Sequence, residues 1–455
     1  MNLNRFEHIY FLGIGGIGMS ALARYFHRTG KKVSGYDKTV TPLTLALEGE
    51  GIEVHYEDLG DEVMKYLPSK EKVLVVITPA VPKEMKEKIF FENHSFTMTK
   101  RARLLGDITA GMKTFAVAGT HGKTTTSAML AYVLSLTTEG CNAFLGGIST
   151  NLGSNLLMTE GSDRAVVEAD EFDRSFLQLR PFASILTSTD ADHLDIYSHH
   201  DILKSAFSEY VNLIPAEGCL IVQKDIDLTG PINTFRYGLN TQDKAVDYRG
   251  INLRIEKDKF MMDVESPAGP QKDIVLGVHG IHNAENALAV YALCDYMGIE
   301  SKIIREGLAS FKGVKRRFEM IVNKKDFVYI DDYAHHPTAI ESLIRSVRLI
   351  YPDLPVKVVF QPHLFSRTSD FMQGFADALD LADEVILLPI YPAREKPMEG
   401  ITSEVLASKM KSENVEVVGA SELADKLQGY EKGVLLTVGA GDIDRLVEPL
   451  KRHFE

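Results

Sequence analysis

The stretch FLGIGGIGMSALARYF, residues 11–26, decides the fold. An apolar run ends in Gly13, Gly15 and Gly18, spaced G-x-G-x-x-G, and a helical pattern follows. A glycine turn between a buried strand and a helix leaves bare N–H groups at the helix N-terminus, where an anion is held. Taken alone, with Asp37 ending the next strand KKVSGYD, it is the fingerprint of a dinucleotide fold and of an NAD-dependent oxidoreductase. Any nucleotide diphosphate can use the same turn.

Strand and helix go on alternating on either side of this turn. EHIYFLGI, KKVSGYD and VLVVITPAVP read as strands, the last stopped by Pro79 and Pro82. TKRARLLGDITAG reads as a helix leading out of a first domain near residue 110. TFAVAGTHGKTTTSAMLAYVLS opens a second α/β unit, with strands RAVVEAD and FASILTSTD. Residues 217–278 read as β-rich, HNAENALAVYALCDYMG as a helix, and SFKGVKRRFEMI marks a boundary near residue 312. FVYIDDYA, VKVVFQPH, EVILLPIYPA and GVLLTVGAGD are strands of a third unit. The expectation is an α/β protein with domains at 1–110, 111–312 and 313–455. The outer two are Rossmann-like, and the middle one is a P-loop ATPase with a mixed sheet.

Composition agrees and excludes. A chain of 455 residues is long enough for about three domains. A net charge of −13 argues against nucleic acid, which wants basic stripes. Cys141, Cys219 and Cys294 are scattered, odd in number and in no metal spacing, which predicts reduced thiols and a cytoplasmic protein. No apolar run approaches the ~18 residues of a membrane span, so no membrane partner is expected.

AGTHGKTTTS, residues 118–127, is the strongest local signal. Gly119, Thr120, His121 and Gly122 form a turn whose backbone can face a phosphate. Lys123 would hold the β- and γ-phosphates and the Thr124 hydroxyl a Mg²⁺ ion, with the helix N-terminus adding positive potential. The usual four-residue gap before Gly-Lys is shortened, since Gly119 stands only three before Gly122. VVEADEFDRSF puts Glu168 and Asp170 where a strand runs out, the place for a metal carboxylate. Glu168, Asp170, Glu171 and Asp173 would repel one another, which favours a shared cation. STDADHLDIY sets Asp192 and His193 on the same sheet edge, with a metal or phosphate role and a structural role both open for His193. Asn283 and Asn286 share one helix face; on their own they read as a cap and a surface amide. In the third unit, Arg316 and Arg317 precede a strand. The loops Asp331–His336 and Gln361–Arg367 follow strands and form the wall of a ligand crevice.

In order, GTHGKTTT, EADE, DADHLD, HNAEN, RRF, DDYAHHP and QPHLFSRT resemble the motif set of the Mur ligases, over essentially the whole chain. The resemblance is to the members that add L-alanine. It implies ATP-dependent joining of L-alanine to the lactyl carboxylate of UDP-N-acetylmuramate through an acyl phosphate. ATP, two Mg²⁺ ions (Mn²⁺ as an alternative) and these small-molecule substrates would be the partners of a monomer or weak homodimer. The implied ATP residues are Gly119, Thr120, His121, Gly122, Lys123, Thr124, Thr125, Asn283, Asn286, Arg317 and Asp332, which replaces the plainer reading of the two asparagines. Thr124, Glu168 and His193 resemble the metal ligands, and Lys123, His193 and Glu168 the catalytic set. Tyr333, His335 and Arg367 resemble the amino-acid pocket. Gly15, Gly16, Ile17, Gly18, Met19, Ser20, Asp37 and Thr78 are left as the UDP-sugar cradle, since ATP has its own loop. His193 and His335 are both candidates for the base that frees the alanine amine.

Two positions qualify the resemblance. Leu364 stands where related enzymes often carry Arg, so Arg367 would hold the amino-acid carboxylate with less help. Ser208 stands where sister ligases carry a modified lysine, which is therefore not expected here. Two other readings stay open: a muropeptide-recycling ligase that adds a tripeptide to the same sugar nucleotide, and the NAD-dependent oxidoreductase.

Overall fold

The strand β1 (His8–Leu12) is buried at every position, which is why its residues after His8 read as an unbroken apolar run. It pairs in parallel with β2 (Lys32–Tyr36) on one side and β4 (Val73–Ile77) on the other. With β3 (Glu53–His55) and β5 (Thr97–Lys100) the order is β3-β2-β1-β4-β5. Strand order reverses at β1, so a crevice opens beyond its C-terminal end. The turn Gly13–Gly16 and the start of the helix Ile17–Arg28 lie there. The computed structural model describes residues 1–190, 200–228, 230, 233–256, 259–393 and 395–455.

A second sheet begins with β6 (Lys113–Ala118), β7 (Asn142–Ser149), β8 (Ser154–Leu157), β9 (Arg164–Ala169) and β10 (Ala183–Leu186). It continues with β11 (Cys219–Gln223), β12 (Thr234–Leu239), β13 (Tyr248–Glu256), β14 (Lys259–Glu265) and β15 (Gln271–Leu276). Among the described residues the order is β15-β14-β13-β12-β11-β10-β6-β9-β7-β8. Parallel neighbours β9 and β10 flank β6, so all three C-terminal ends share one edge. β7 and β8 are antiparallel, which makes the sheet mixed.

Both sheets, apart from the ends of β13 and β14 that fall within Arg254–Phe260, belong to one unit made of Met1–Leu253, Met261–Leu276 and Glu285–Lys312. Residue 110 lies inside it, because an apolar cluster runs from Leu22, Ala23 and Phe26 to Phe144, Leu156 and Val167. Polar groups tie the same seam. Asn155 Nδ2 donates to Ile17 O at 2.6 Å and to Ser20 Oγ at 2.9 Å, and its Oδ1 accepts from Arg24 Nη1 at 2.5 Å. Arg24 also pairs with Glu50 at 2.6 Å, so the buried guanidinium is neutralised. The segment expected as one helix over 99–111 divides. Thr97–Lys100 forms β5 against β4, and the helix begins at Arg101. The ladder Val76↔Thr99 and Ile77↔Lys100 takes the backbone groups that a longer helix would need.

A second unit comprises Arg254–Phe260, Gly277–Ala284 and Gly313–Glu455. Its sheet holds β16 (Glu319–Asn323), β17 (Phe327–Asp332), β18 (Val356–Phe360), β19 (Glu384–Leu387), β20 (Val415–Val417) and β21 (Gly433–Val438). The order is β16-β17-β21-β18-β19-β20, with β16 antiparallel and the others parallel. β17 and β18 both border β21, which brings the loops after them to one edge. The three thiols are free and buried, and burial pushes Cys141 and Cys219 up to about 12. No helix among the described residues is long and apolar enough to cross a membrane.

Candidate functional site

β6 delivers the chain into the turn Gly119–Gly122, and the helix Lys123–Ser135 leaves it. Gly119 and Gly122 sit at φ +131° and +80°, where a side chain is strained. Space demands glycine as well. A Cβ on Gly119 would overlap Thr187 Oγ1, and one on Gly122 would stand 2.7 Å from Asn286 Oδ1. The segment after β10 braces the turn. His121 N donates to Ser188 Oγ at 2.9 Å, Thr120 Oγ1 and Ser188 Oγ share a hydrogen bond of 2.8 Å, and Thr187 Oγ1 donates to His121 O at 2.5 Å. Thr125 and Asn286 are buried beside this helix start.

Lys123 Nζ donates to Gly119 O at 2.7 Å and to Glu171 Oε2 at 2.6 Å. Burial opposes its charge, but Glu171, Asp170 and Glu168 more than offset this, so its affinity for the proton is raised. Thr124 Oγ1 donates to Glu168 at 3.0 and 3.2 Å. Gly146 of β7 makes room for that carboxylate, since a Cβ there would overlap Glu168 Oε2. The acidic segment does not gather around one point. Glu168 meets Thr124, Asp170 pairs with Arg101 at 3.8 Å, Glu171 with Lys123 and Asp173 with Lys100 at 2.9 Å. The repulsion expected among the four acids is thus relieved by separate partners. Asp192 and His193 lie outside the described residues.

At the first glycine turn, Gly13 has φ +85°, and a Cβ there would stand 3.5 Å from Thr78 Cγ2. Gly15 N donates to Asp37 Oδ2 at 2.8 Å, and a Cβ on Gly15 would meet that oxygen at 2.8 Å and Thr44 Cγ2 at 2.5 Å. Asp37 therefore grips the turn. Gly16 caps the helix without a side-chain hydrogen bond. Gly18 lies under Arg101, whose Nη1 would be 2.8 Å from a Cβ there. The backbone oxygen of Ile17 is taken by Asn155. Met19 and Ser20 are buried, Met19 in the apolar core and Ser20 with its hydroxyl on Ile17 O and Asn155.

In the second unit Asp332 accepts from Phe318 N at 2.6 Å and Ala334 N at 2.7 Å. Arg317 lies over the Tyr333 ring at 4.8 Å and Arg316 at 5.3 Å. Arg316 and Phe318 hold φ of +62° and +49°, so Arg317 stands between two strained residues. Arg316 is fixed by Asp331 at 3.2 Å and Gly439 O at 2.6 Å. Burial pushes Asp331 up to about 6 against the pull of Arg316. Asn283 Nδ2 donates to His279 O at 2.6 Å. The His335 ring meets Tyr333 at 5.2 Å and His363 at 6.5 Å, and His363 stacks on Tyr391 at 5.7 Å. Arg367 stands in the short helix Phe365–Asp370, after Leu364 at φ +71°. Glu395 anchors that helix through Ser366 N at 3.0 Å and Ser366 Oγ at 2.5 Å.

Gly146, Arg101, Ser188 and Glu395 carry no sequence signal of a site. Each is ordinary in its own segment and meets its partner only through the strand order. Glu171 was visible as an acid, but not as the partner of Lys123.

Three family models match the chain in order. They are the Mur ligase family catalytic domain over residues 8–113, the Mur ligase middle domain over 117–294 and the Mur ligase glutamate ligase domain over 316–442. A UDP-N-acetylmuramate–L-alanine ligase of Cytophaga hutchinsonii is 44% identical over 99% of this chain and 97% of its own length. Another, of Flavobacterium psychrophilum, is 46% identical over 100% of both chains. The crystal structure of a UDP-N-acetylmuramate–alanine ligase from Thermotoga maritima superposes with a TM-score of 0.84 at 29% identity, covering 98% of this chain and 99% of that one. Matched from end to end by sequence and by fold, the chain belongs to the Mur ligase family.

Proposed function

We propose that this enzyme joins L-alanine to the lactyl carboxylate of UDP-N-acetylmuramate in peptidoglycan precursor synthesis, cleaving ATP to ADP and phosphate. The carrying observation is the phosphate turn, with Lys123 and Thr124 at the helix start and Glu168 beside Thr124. Full-length relatives that bear this activity in their names support the choice of substrates. The domain reading is a sugar-nucleotide domain at 1–110, a central ATP domain at 111–312 and an amino-acid domain at 313–455, working in the cytoplasm.

A carboxylate is a poor acyl donor because oxide would have to leave. The lactyl carboxylate attacks the γ-phosphoryl group, ADP departs and an acyl phosphate forms. The neutral alanine amine then adds to the acyl carbon, and phosphate leaves with the C–O bond as the amine proton is lost. The protein's task is positioning and charge neutralisation. Lys123 and the amides around Gly119–Gly122 meet the phosphates, and Asn283, Asn286, Arg317 and Asp332 are assigned to the nucleotide. The turn Gly13–Gly18, gripped by Asp37 and flanked by Thr78, takes the UDP diphosphate. Tyr333, His335 and Arg367 are assigned to the amino acid.

The Thr124 hydroxyl and the Glu168 carboxylate are adjacent oxygen donors of the kind a hard cation takes, so these residues fit Mg²⁺. Mg²⁺, when bound, supplies charge neutralisation at the phosphates. Two ions are assigned, the second with His193, and Mn²⁺ is the alternative.

The test is a product assay by mass, with UDP-N-acetylmuramate and ATP, offering L-alanine, glycine, L-serine and the tripeptide L-alanyl-γ-D-glutamyl-meso-diaminopimelate in turn. The expected result is one amide and one phosphate per ATP with L-alanine. Product from the tripeptide alone would establish the recycling reading instead. No ATP-dependent product with any acceptor would remove the ligase reading altogether.

A further inference from the structure

We infer that Glu171 is a positioning residue for the Lys123 ammonium, holding it across the phosphate turn with one N–H left for a phosphate oxygen of ATP. The inference rests on the assignment of ATP to this turn. An ammonium has three donors. Lys123 spends one on Gly119 O at 2.7 Å and one on Glu171 Oε2 at 2.6 Å. Gly119 O lies within the turn itself, and Glu171 comes from the acidic segment after β9, so the ammonium is held from two directions. Among the described residues these are its two acceptors, so a third N–H is left for a ligand.

The side chains are well placed for this. The Glu171 carboxylate is fully buried and the Lys123 side chain 11% exposed, so the pair is little screened by water. A charge-assisted bond in such surroundings fixes direction as well as charge. Without it, a flexible four-carbon stem would sample several rotamers, and each ATP would pay for ordering it. Glu171 also differs in task from its neighbour Glu168. Glu168 faces the Thr124 hydroxyl, one residue along the helix, while Glu171 faces the lysine. The acidic segment therefore sets two successive functional residues of one helix turn.

The experiment compares Glu171→Gln and Glu171→Asp with the unaltered enzyme. It reads Kd for a non-hydrolysable ATP analogue and for AMP, which lacks the β- and γ-phosphates, alongside kcat and KM for ATP. The expected result for Glu171→Gln is an analogue Kd raised about tenfold, AMP binding unchanged and kcat reduced, with Glu171→Asp between. Equal weakening of analogue and AMP, or no change in either, would overturn the inference. Should Glu171→Gln lose its fold, the Lys123→Ala background supplies the second measurement. There Glu171→Asp is expected to add nothing further to the analogue Kd, and an undiminished added loss would overturn the inference. An unaltered enzyme that binds neither nucleotide would instead refute the ATP assignment itself.

Discussion

The first unit contains two strand–glycine–helix turns, Gly13–Gly18 and Gly119–Lys123, built alike and furnished differently. Both follow a buried parallel strand and both expose the N-terminus of a helix. The first turn has no lysine of its own. It is gripped by Asp37 on Gly15 N, and Arg101 of another helix stands against Gly18. The second carries Lys123 within it and is served by Glu168 and Glu171. A turn that only has to seat a diphosphate needs amides and a shape. A turn where a phosphoryl group is transferred needs charge neutralisation at the phosphates as well.

The two turns are expected to differ most at Lys123. Lys123→Ala is expected to lower the rate of amide formation by about 10³-fold, leaving UDP-N-acetylmuramate binding intact. Calorimetry with each nucleotide separates the two effects, and near-wild-type turnover would show that the second turn is no more active than the first. Gly146→Ala comes next. Its methyl overlaps Glu168 Oε2, and displacing that carboxylate by an ångström is expected to cost about 10²-fold in kcat/KM for ATP. Retained kcat/KM would mean that the carboxylate position does not matter.

Acid sensitivity is expected within the first sheet. His8 on β1 is buried with Nε2 on Ser34 Oγ at 2.8 Å, and burial, aided by Lys32, pushes it down to about 4. The unfolded chain therefore binds more protons between about pH 6.5 and pH 4, and stability falls as pH falls through that window. At pH 5 the contribution lost is about 2 kcal/mol. Denaturant unfolding of His8→Asn at pH 7 and pH 5 should show a correspondingly smaller drop than the unaltered chain. An identical drop would place the acid-sensitive group elsewhere. The smallest effect is expected at the first turn. Gly15→Ala puts a methyl against Asp37 and Thr44, and should weaken sugar-nucleotide binding about tenfold without touching ATP binding. A loss of ATP affinity would show that the two turns are not independent.

Much of this was legible in the residues. The glycine spacings, the lysine–threonine pair and the acid at the end of RAVVEAD announce strand ends, helix starts and anions, because each depends on a few neighbouring residues. Apolar periodicity carries the helix back to Thr99, since it cannot show that Thr97–Lys100 will pair with β4. The four acids of EADEFD could not be sorted from sequence either. Their partners Arg101, Lys100, Lys123 and Thr124 lie on other elements.

Local residue patterns alone settle the alternation of elements and the two glycine turns, each with bare amides at a helix start. These follow from local backbone freedom and hydrophobic period, which act over a few residues. Only the tertiary structure decided which acid serves which cation, why Gly146 must be bare, and that the first two sheets share one core. Those outcomes depend on β6 lying between β9 and β10 and on β7 lying beside β9. Strand order is set by packing the whole chain, and it brings together side chains that no local rule relates.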